Sequence, residues 1–345
     1  MKKWSIGFTA VVLTGALSGC GGGGDGGSSG ASSGTSSNAS AFTMSASVNG
    51  ANVPSFSVSD GQSATLTVKS GQDLRFDADH NVVWTSMSAK QTTLTIKGQS
   101  TQSLTTGLMS PLGGAVTYVV TSAADSSKSA TVTVTVPPQE YAAVPARVGA
   151  AVVWSETTTR QDGTVVTDTR TNTTTNITNG IATIDSTVNG AASPSDRYTH
   201  DADGNRLTRK YLSNGNVCTY TPKRDMLNFP LSVGKSWQTT WQYSCQAGYK
   251  ESAALTSTVE TYEPVTTPAG TFNALRIHYV LALTNSNDMQ LQGGTTGAAA
   301  YNEDYRCWWD VNGGRLVKCD FVYAYQGAAP SNYVKTFSQE VTSIK

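Results

Sequence analysis

The side chains able to do chemistry in this sequence are few and scattered. The three histidines, His80, His200 and His278, share no metal-binding spacing such as H-E-x-x-H. His80 and His200 adjoin turn residues and His278 falls on the more polar face of a strand, so solvated surface histidines are expected. Asp201-Ala202-Asp203-Gly204-Asn205 alternates three oxygen-bearing side chains, as a calcium loop does. Such a loop also needs glycine at its sixth position and glutamate at its twelfth. Those positions are Arg206 and Leu212, so a type I′ hairpin is the better reading. Glu303, Asp304 and Asp310 are the acids nearest to a hydrolase pair, but the first two read as the polar flank before a strand and nothing sets a carboxylate separation. The sharper candidates are aromatic. Trp308, Trp237 and Trp241 are candidate ligand-binding residues, because an exposed indole stacks on a sugar ring or anchors a partner. No catalytic residue, metal site or cofactor is expected.

Those residues must be positioned by strands. From about Ala41 to residue 138, short alternating runs such as SATLTVKS, VTYVVTS and SATVTVTV are separated by Gly, Asp, Asn and Ser. Trp84 stands where a central strand would bury it. Val132, Val134 and Val136 share one face, and Pro137-Pro138 ends the strand because proline cannot donate to the ladder. This layout resembles bacterial immunoglobulin-like surface modules, which implies a β-sandwich.

Residues 141–345 read as a second, larger antiparallel β-domain. Its first half carries hairpin signals at Asp162-Gly163, Asn179-Gly180, Asp203-Gly204-Asn205 and Asn214-Gly215. In SWQTTWQYSC, Trp237, Thr239, Trp241, Tyr243 and Cys245 fall on one face. In NALRIHYVLAL, Leu275, Ile277, Tyr279, Leu281 and Leu283 do the same, with Arg276 and His278 opposite. EDYRCWWDVNGGRLVKCDFVYAY reads as a hairpin centred on Gly313. That register sets Cys307 against Cys319, Trp309 against Val317 and Tyr305 against Phe321. A Cys307–Cys319 disulfide is expected, leaving Cys218 to pair with Cys245. The adjacent Trp308 faces the other way, with Arg306, Asp310 and Lys318.

FPLSVGKSW, TPAGTFNALRI, YRCWWD and GRLVKCD resemble a widespread group of bacterial secreted or periplasmic β-proteins with a recurrent Pro-Ala-Gly-Thr-Phe turn. The resemblance implies a curved sheet or half-open antiparallel β-barrel from Phe229 onward, and transfers no active site. The fold expected for the whole chain is all-β.

The first residues give an address. Lys2 and Lys3 precede an apolar run, and Leu17-Ser18-Gly19-Cys20 resembles the lipobox of bacterial lipoproteins. The resemblance implies that residues 1–19 are a signal peptide and that Cys20 carries acyl chains such as palmitate. Several chains suffice for stable anchoring. With Gly21 after the cysteine, it implies an outer-membrane destination. Residues 20–40 are mostly Gly and Ser, with too little apolar surface to order, and read as a tether. Assigning Cys20 to lipid leaves four of the five cysteines for disulfides, which suits an oxidising compartment.

Lys plus Arg equals Asp plus Glu at 24 each in 345 residues, and charged residues are 14%. No basic field points to nucleic acid. No second long apolar run points to a transmembrane helix. The expected function is that of a non-catalytic, lipid-anchored envelope lipoprotein, an immunoglobulin-like spacer carrying a domain that binds a protein partner or glycan. The alternatives are a carrier of a lipid or other apolar ligand in a half-open barrel, and a surface hydrolase.

Overall fold

The computed structural model describes residues 41–87, 94–285, 300–326 and 329–345. The expected signal peptide, the expected tether and Cys20 lie outside the described residues. Among those described there is no helix, so Asp225 to Phe229, where the sequence allows a helical turn, is irregular.

The first nine strands are β1 (Thr43–Val48), β2 (Ala51–Ser59), β3 (Ser63–Thr67), β4 (Leu74–Ala78), β5 (Val82–Ser86), β6 (Ile96–Gln99), β7 (Ser103–Thr106), β8 (Gly114–Ser122) and β9 (Ser129–Val136). They form two sheets, ordered β2-β1-β4-β7-β6 and β3-β9-β8-β5. The alternating positions of both sheets meet in one core that includes Met44, Leu74, Phe76, Trp84, Tyr118 and Val134. Trp84 stacks on Phe76 with ring centroids 6.0 Å apart. β3 runs parallel to β9, and every other pairing in the two sheets is antiparallel.

Twelve further strands follow: β10 (Ala151–Arg160), β11 (Val165–Thr178), β12 (Ile181–Val188), β13 (Asp196–His200), β14 (Arg206–Tyr211), β15 (Val217–Arg224), β16 (Ser236–Cys245), β17 (Lys250–Thr267), β18 (Gly270–Asn285), β19 (Ala300–Asp310), β20 (Arg315–Tyr325) and β21 (Val334–Ile344). Each pairs with the next in sequence, and β10 pairs with β21 from Val152↔Ile344 to Arg160↔Val334. The barrel is therefore closed, which corrects the expectation of a curved or half-open sheet. Closure leaves no free edge along these strands.

Turn chemistry follows residue type. Asn179-Gly180 has φ of 51° and 76°, both in the left-handed region that a type I′ turn requires. At Asp201 to Asn205 only Gly204 has positive φ, at 82°, so the expected type I′ turn is not formed. The Asp201 carboxylate instead accepts hydrogen bonds from the backbone N–H groups of Asp203 (3.1 Å) and Asn205 (2.8 Å). An aspartate side chain can thus stand in for a backbone turn.

Eight strands suffice for a barrel filled by ordinary side chains, so twelve enclose a wider interior. Large residues fill it. Trp237, Ser257, Tyr279, Tyr305, Phe321 and Phe337 form one cross-strand row over β16 to β21. The ring centroids are 6.4 Å apart for Trp237–Tyr279, 4.9 Å for Tyr279–Tyr305 and 4.3 Å for Tyr305–Phe321. Ser257 lies between Trp237 and Tyr279, and its small side chain leaves room for the two rings to meet.

Both disulfides, Cys218–Cys245 and Cys307–Cys319, join directly opposed residues of neighbouring strands. Trp309 faces Leu316 rather than Val317, because a bulge follows Trp308↔Lys318. Closing 27- and 12-residue separations should contribute on the order of 3 kcal/mol each, slightly more for the longer. Replacing both Cys218 and Cys245 by alanine should therefore lower the unfolding free energy of the full chain by about that amount. Urea denaturation checks this, and an unchanged midpoint would contradict it.

Candidate functional site

The barrel interior is polar on one side and aromatic on the other. On the polar side, five consecutive strands contribute one side chain each. The Arg170 guanidinium (β11) donates from Nε to Glu156 Oε1 (β10) at 2.8 Å and from Nη1 to Ser186 Oγ (β12) at 3.0 Å. Arg170 Nη1 also lies 3.7 Å from Asp196 Oδ2 (β13), and Arg209 Nε (β14) donates to Asp196 Oδ1 at 2.9 Å. Burial works to lower the pKa of both guanidiniums. For Arg170 the neighbouring Glu156, Tyr198 and Asp196 together outweigh burial, and for Arg209 Tyr198, Tyr211 and Asp196 do, so both stand above the ordinary value.

Beside this chain lies a cavity of about 170 Å³. Arg206 and Arg224, register partners on β14 and β15, line it together with Tyr220, Trp241, Leu281 and Glu303. The Arg206 guanidinium lies 4.1 Å from the centre of the Tyr198 ring and donates from Nε to His200 Nε2 at 3.5 Å. Arg224 faces the Tyr305 hydroxyl. Neither guanidinium forms an ion pair among the described residues, at a limit of 4.0 Å. Burial, then the charges of Arg206 and Arg224, push the His200 imidazole down to about 3. His200 is thus a neutral lumen residue, which corrects its expected place on the surface. It faces inward because it lies two residues after the buried Tyr198.

Two carboxyls complete the cavity. Glu251 accepts hydrogen bonds from the hydroxyls of Tyr249 (2.6 Å) and Tyr301 (3.0 Å). Burial raises its pKa, with the two hydroxyls and Arg224 opposing. Burial likewise pushes Glu303 up to about 7, with Arg224 pulling it down and Glu251 pushing it up. Arg224 and Glu303 keep some solvent contact, so the lumen is not sealed around them.

One barrel end is covered by connecting segments. Tyr141 and Leu231 form an isolated bridge there, and the Phe229 and Trp309 ring centroids are 5.4 Å apart. Asn205, 1% exposed, donates to Asp225 Oδ1 and to the Leu227 carbonyl and accepts from the Leu227 N–H. It locks the β13–β14 turn to the β15–β16 connection.

The expected aromatic platform is not formed. Trp237 and Trp241 are buried inside the barrel at 8% and 4% exposure, where strand alternation places them with Cys245. Trp308 points outward but is half-buried. Its Nε1 donates to Glu263 Oε1 at 2.8 Å, and Lys318 Nζ covers the ring at 5.2 Å from the centroid. Glu263 also accepts from Arg276, and His278 Nε2 lies 2.9 Å from Asp304 Oδ1. Of the acids named from sequence, Glu303 lines the lumen, Asp304 belongs to the outer face, and Asp310 accepts from the N–H groups of Asn312 and Gly313 in the β19–β20 turn. No described cluster of His, Cys, Asp and Glu has the make-up of a metal site.

This outer face is charged where a membrane barrel is apolar. Arg276, His278, Asp304 and Arg306 sit mid-strand on the outside, whereas the aromatic row points inward. A midplane arginine facing lipid costs about 2–4 kcal/mol, so these strands are built for an aqueous surrounding.

Sequence reading missed Arg206, Arg224, Glu251 and Glu303 as a group. The signal existed for Glu303, since the alternation that sets Tyr305, Cys307 and Trp309 inward sets Glu303 inward too.

No known protein family matches the sequence, and no curated protein is significantly similar to it. Among solved structures, the chain is similar to a protein from Bacteroides fragilis described as exported, with a YmcC-like fold. The identity is 12%, the TM-score 0.37, and the match covers 59% of this chain and 99% of that one. A protein from Parabacteroides distasonis described as a lipoprotein matches at 12% identity and TM-score 0.33, over 60% and 100% of the two chains. The hypothetical lipoprotein YmcC from Escherichia coli matches at 11% identity and TM-score 0.29, over 55% and 85%.

Proposed function

We propose that the chain is a non-catalytic lipoprotein of the outer membrane, anchored through Cys20, whose barrel binds a small ligand in its lumen. The observation that carries this reading is the cavity beside Arg206 and Arg224, two guanidiniums outside any ion pair among the described residues. Both guanidiniums are half-buried, and a bound anion would offset part of the cost of taking their charge from water. The N-terminal sandwich, read as an immunoglobulin-like module, acts as a spacer between tether and barrel. Binding in the lumen takes the place of the external strip for a protein partner or glycan, because Trp237 and Trp241 are buried and Trp308 is held by Glu263 and Lys318.

The test uses the full chain and the small-molecule fraction of an envelope extract. The expected result is a rise in Tm with no chemical change in the fraction by mass spectrometry. Conversion of any component would overturn the non-catalytic reading, and an unchanged Tm would overturn lumen binding.

A further inference from the structure

We propose that the lumen binds a small organic carboxylate with a body the size of one six-membered ring, its carboxylate seated between Arg206 and Arg224. This rests on the reading of the barrel as a binding body. Size comes first. An apolar cavity of about 150 Å³ admits benzene, so about 170 Å³ accommodates a ring and little more. Tyr220, Trp241 and Leu281 supply flat and apolar wall on that scale.

Charge selects the head group. Arg209 is paired with Asp196, and the Glu251 carboxyl is occupied by two tyrosine hydroxyls. Arg206 and Arg224 remain, with a neutral imidazole beside them. Glu251 and Glu303 share the cavity with them, and burial pushes both carboxyls toward the neutral form, so the two guanidiniums keep a surplus of positive charge that an anion would meet. A guanidinium fork matches a planar carboxylate in geometry. Glu303 can hold a proton near neutrality and would then donate to a ligand oxygen rather than repel it.

The experiment titrates the full chain with 4-fluorobenzoate by ¹⁹F NMR, competes with benzoate, and repeats with benzamide and inorganic phosphate. The expected result is saturable binding that benzoate displaces, at least tenfold weaker binding of benzamide and phosphate, and at least tenfold loss of affinity in Arg224→Gln. If Arg224→Gln fails to fold, the benzoate-against-benzamide comparison in the native chain still decides. Absence of saturable binding, or benzamide binding as tightly as benzoate, would overturn the inference. An envelope extract that raises Tm where benzoate does not would sink this ligand class and leave the binding function standing.

Discussion

Replacing Asp196 by alanine is expected to cost about 3–5 kcal/mol of folding stability. The carboxylate is 8% exposed and stands between two arginines, 2.9 Å from Arg209 Nη2 and 3.7 Å from Arg170 Nη1. Its second oxygen accepts from Ser195 Oγ at 2.9 Å. Arg209, about a quarter exposed, then loses its ion pair, while Arg170 keeps Glu156. The loss is mostly the penalty of stranding a charge, rather than the net worth of the pair. The double variant Asp196→Leu with Arg209→Met should therefore recover a large share of it, because both charges leave together. Urea denaturation of the three proteins measures this. A loss below about 1 kcal/mol in Asp196→Ala would place the pair with exposed salt bridges instead.

The second large effect is a pH dependence with two opposed parts. His200 has a folded pKa of about 3 against an ordinary 6.5. The unfolded chain therefore binds the extra proton across that window, and stability falls as pH drops from 6.5 toward 3. The slope is about 1.4 kcal/mol per pH unit at most, less what solvent in the lumen screens. Glu303 runs the other way. Its folded pKa of about 7 lies above the ordinary 4.5, so the folded state holds the extra proton and stability falls as pH rises from 4.5 to 7. Between 4.5 and 6.5 the two slopes nearly cancel. Below 4.5 His200 acts alone. Glu303→Gln should expose it: relative to the native chain the variant gains stability from pH 5 to pH 8, by about 3 kcal/mol at the upper bound. Tm measured across pH 4–8 gives the difference curve. A difference that stays flat with pH would contradict the burial of Glu303.

These effects have a common origin in the barrel's interior, and only part of that interior was legible in sequence. Period-two alternation correctly set Leu275 to Leu283 and Trp237 to Cys245 on buried faces, because one wrong residue would turn the whole set outward. The opposed Cys307 and Cys319 followed from hairpin symmetry. The bulge at Val317 did not, since inserting one residue changes neither composition nor turn signal. Closure was not legible either. Pairing of β10 with β21 links Val152 to Ile344, nearly the length of the barrel sequence, and local patterns carry no record of such a contact. The lumen charges were hidden for the same reason. Arg206 and Arg224 lie on neighbouring strands while Glu303 comes from a distant one, and although alternation turns Glu303 inward, no local pattern shows that the arginines meet it. As an external platform the tryptophans misled, because an indole in an alternating strand signals burial as readily as recognition.

The intact mass of the full chain isolated from a cell envelope tests the anchor at Cys20 that holds the binding barrel to the membrane. The expected result is a polypeptide beginning at Cys20 with the added mass of acyl chains, absent in Cys20→Ser, which should also leave the membrane fraction. A native chain that begins elsewhere, or that carries no acyl mass, would contradict it.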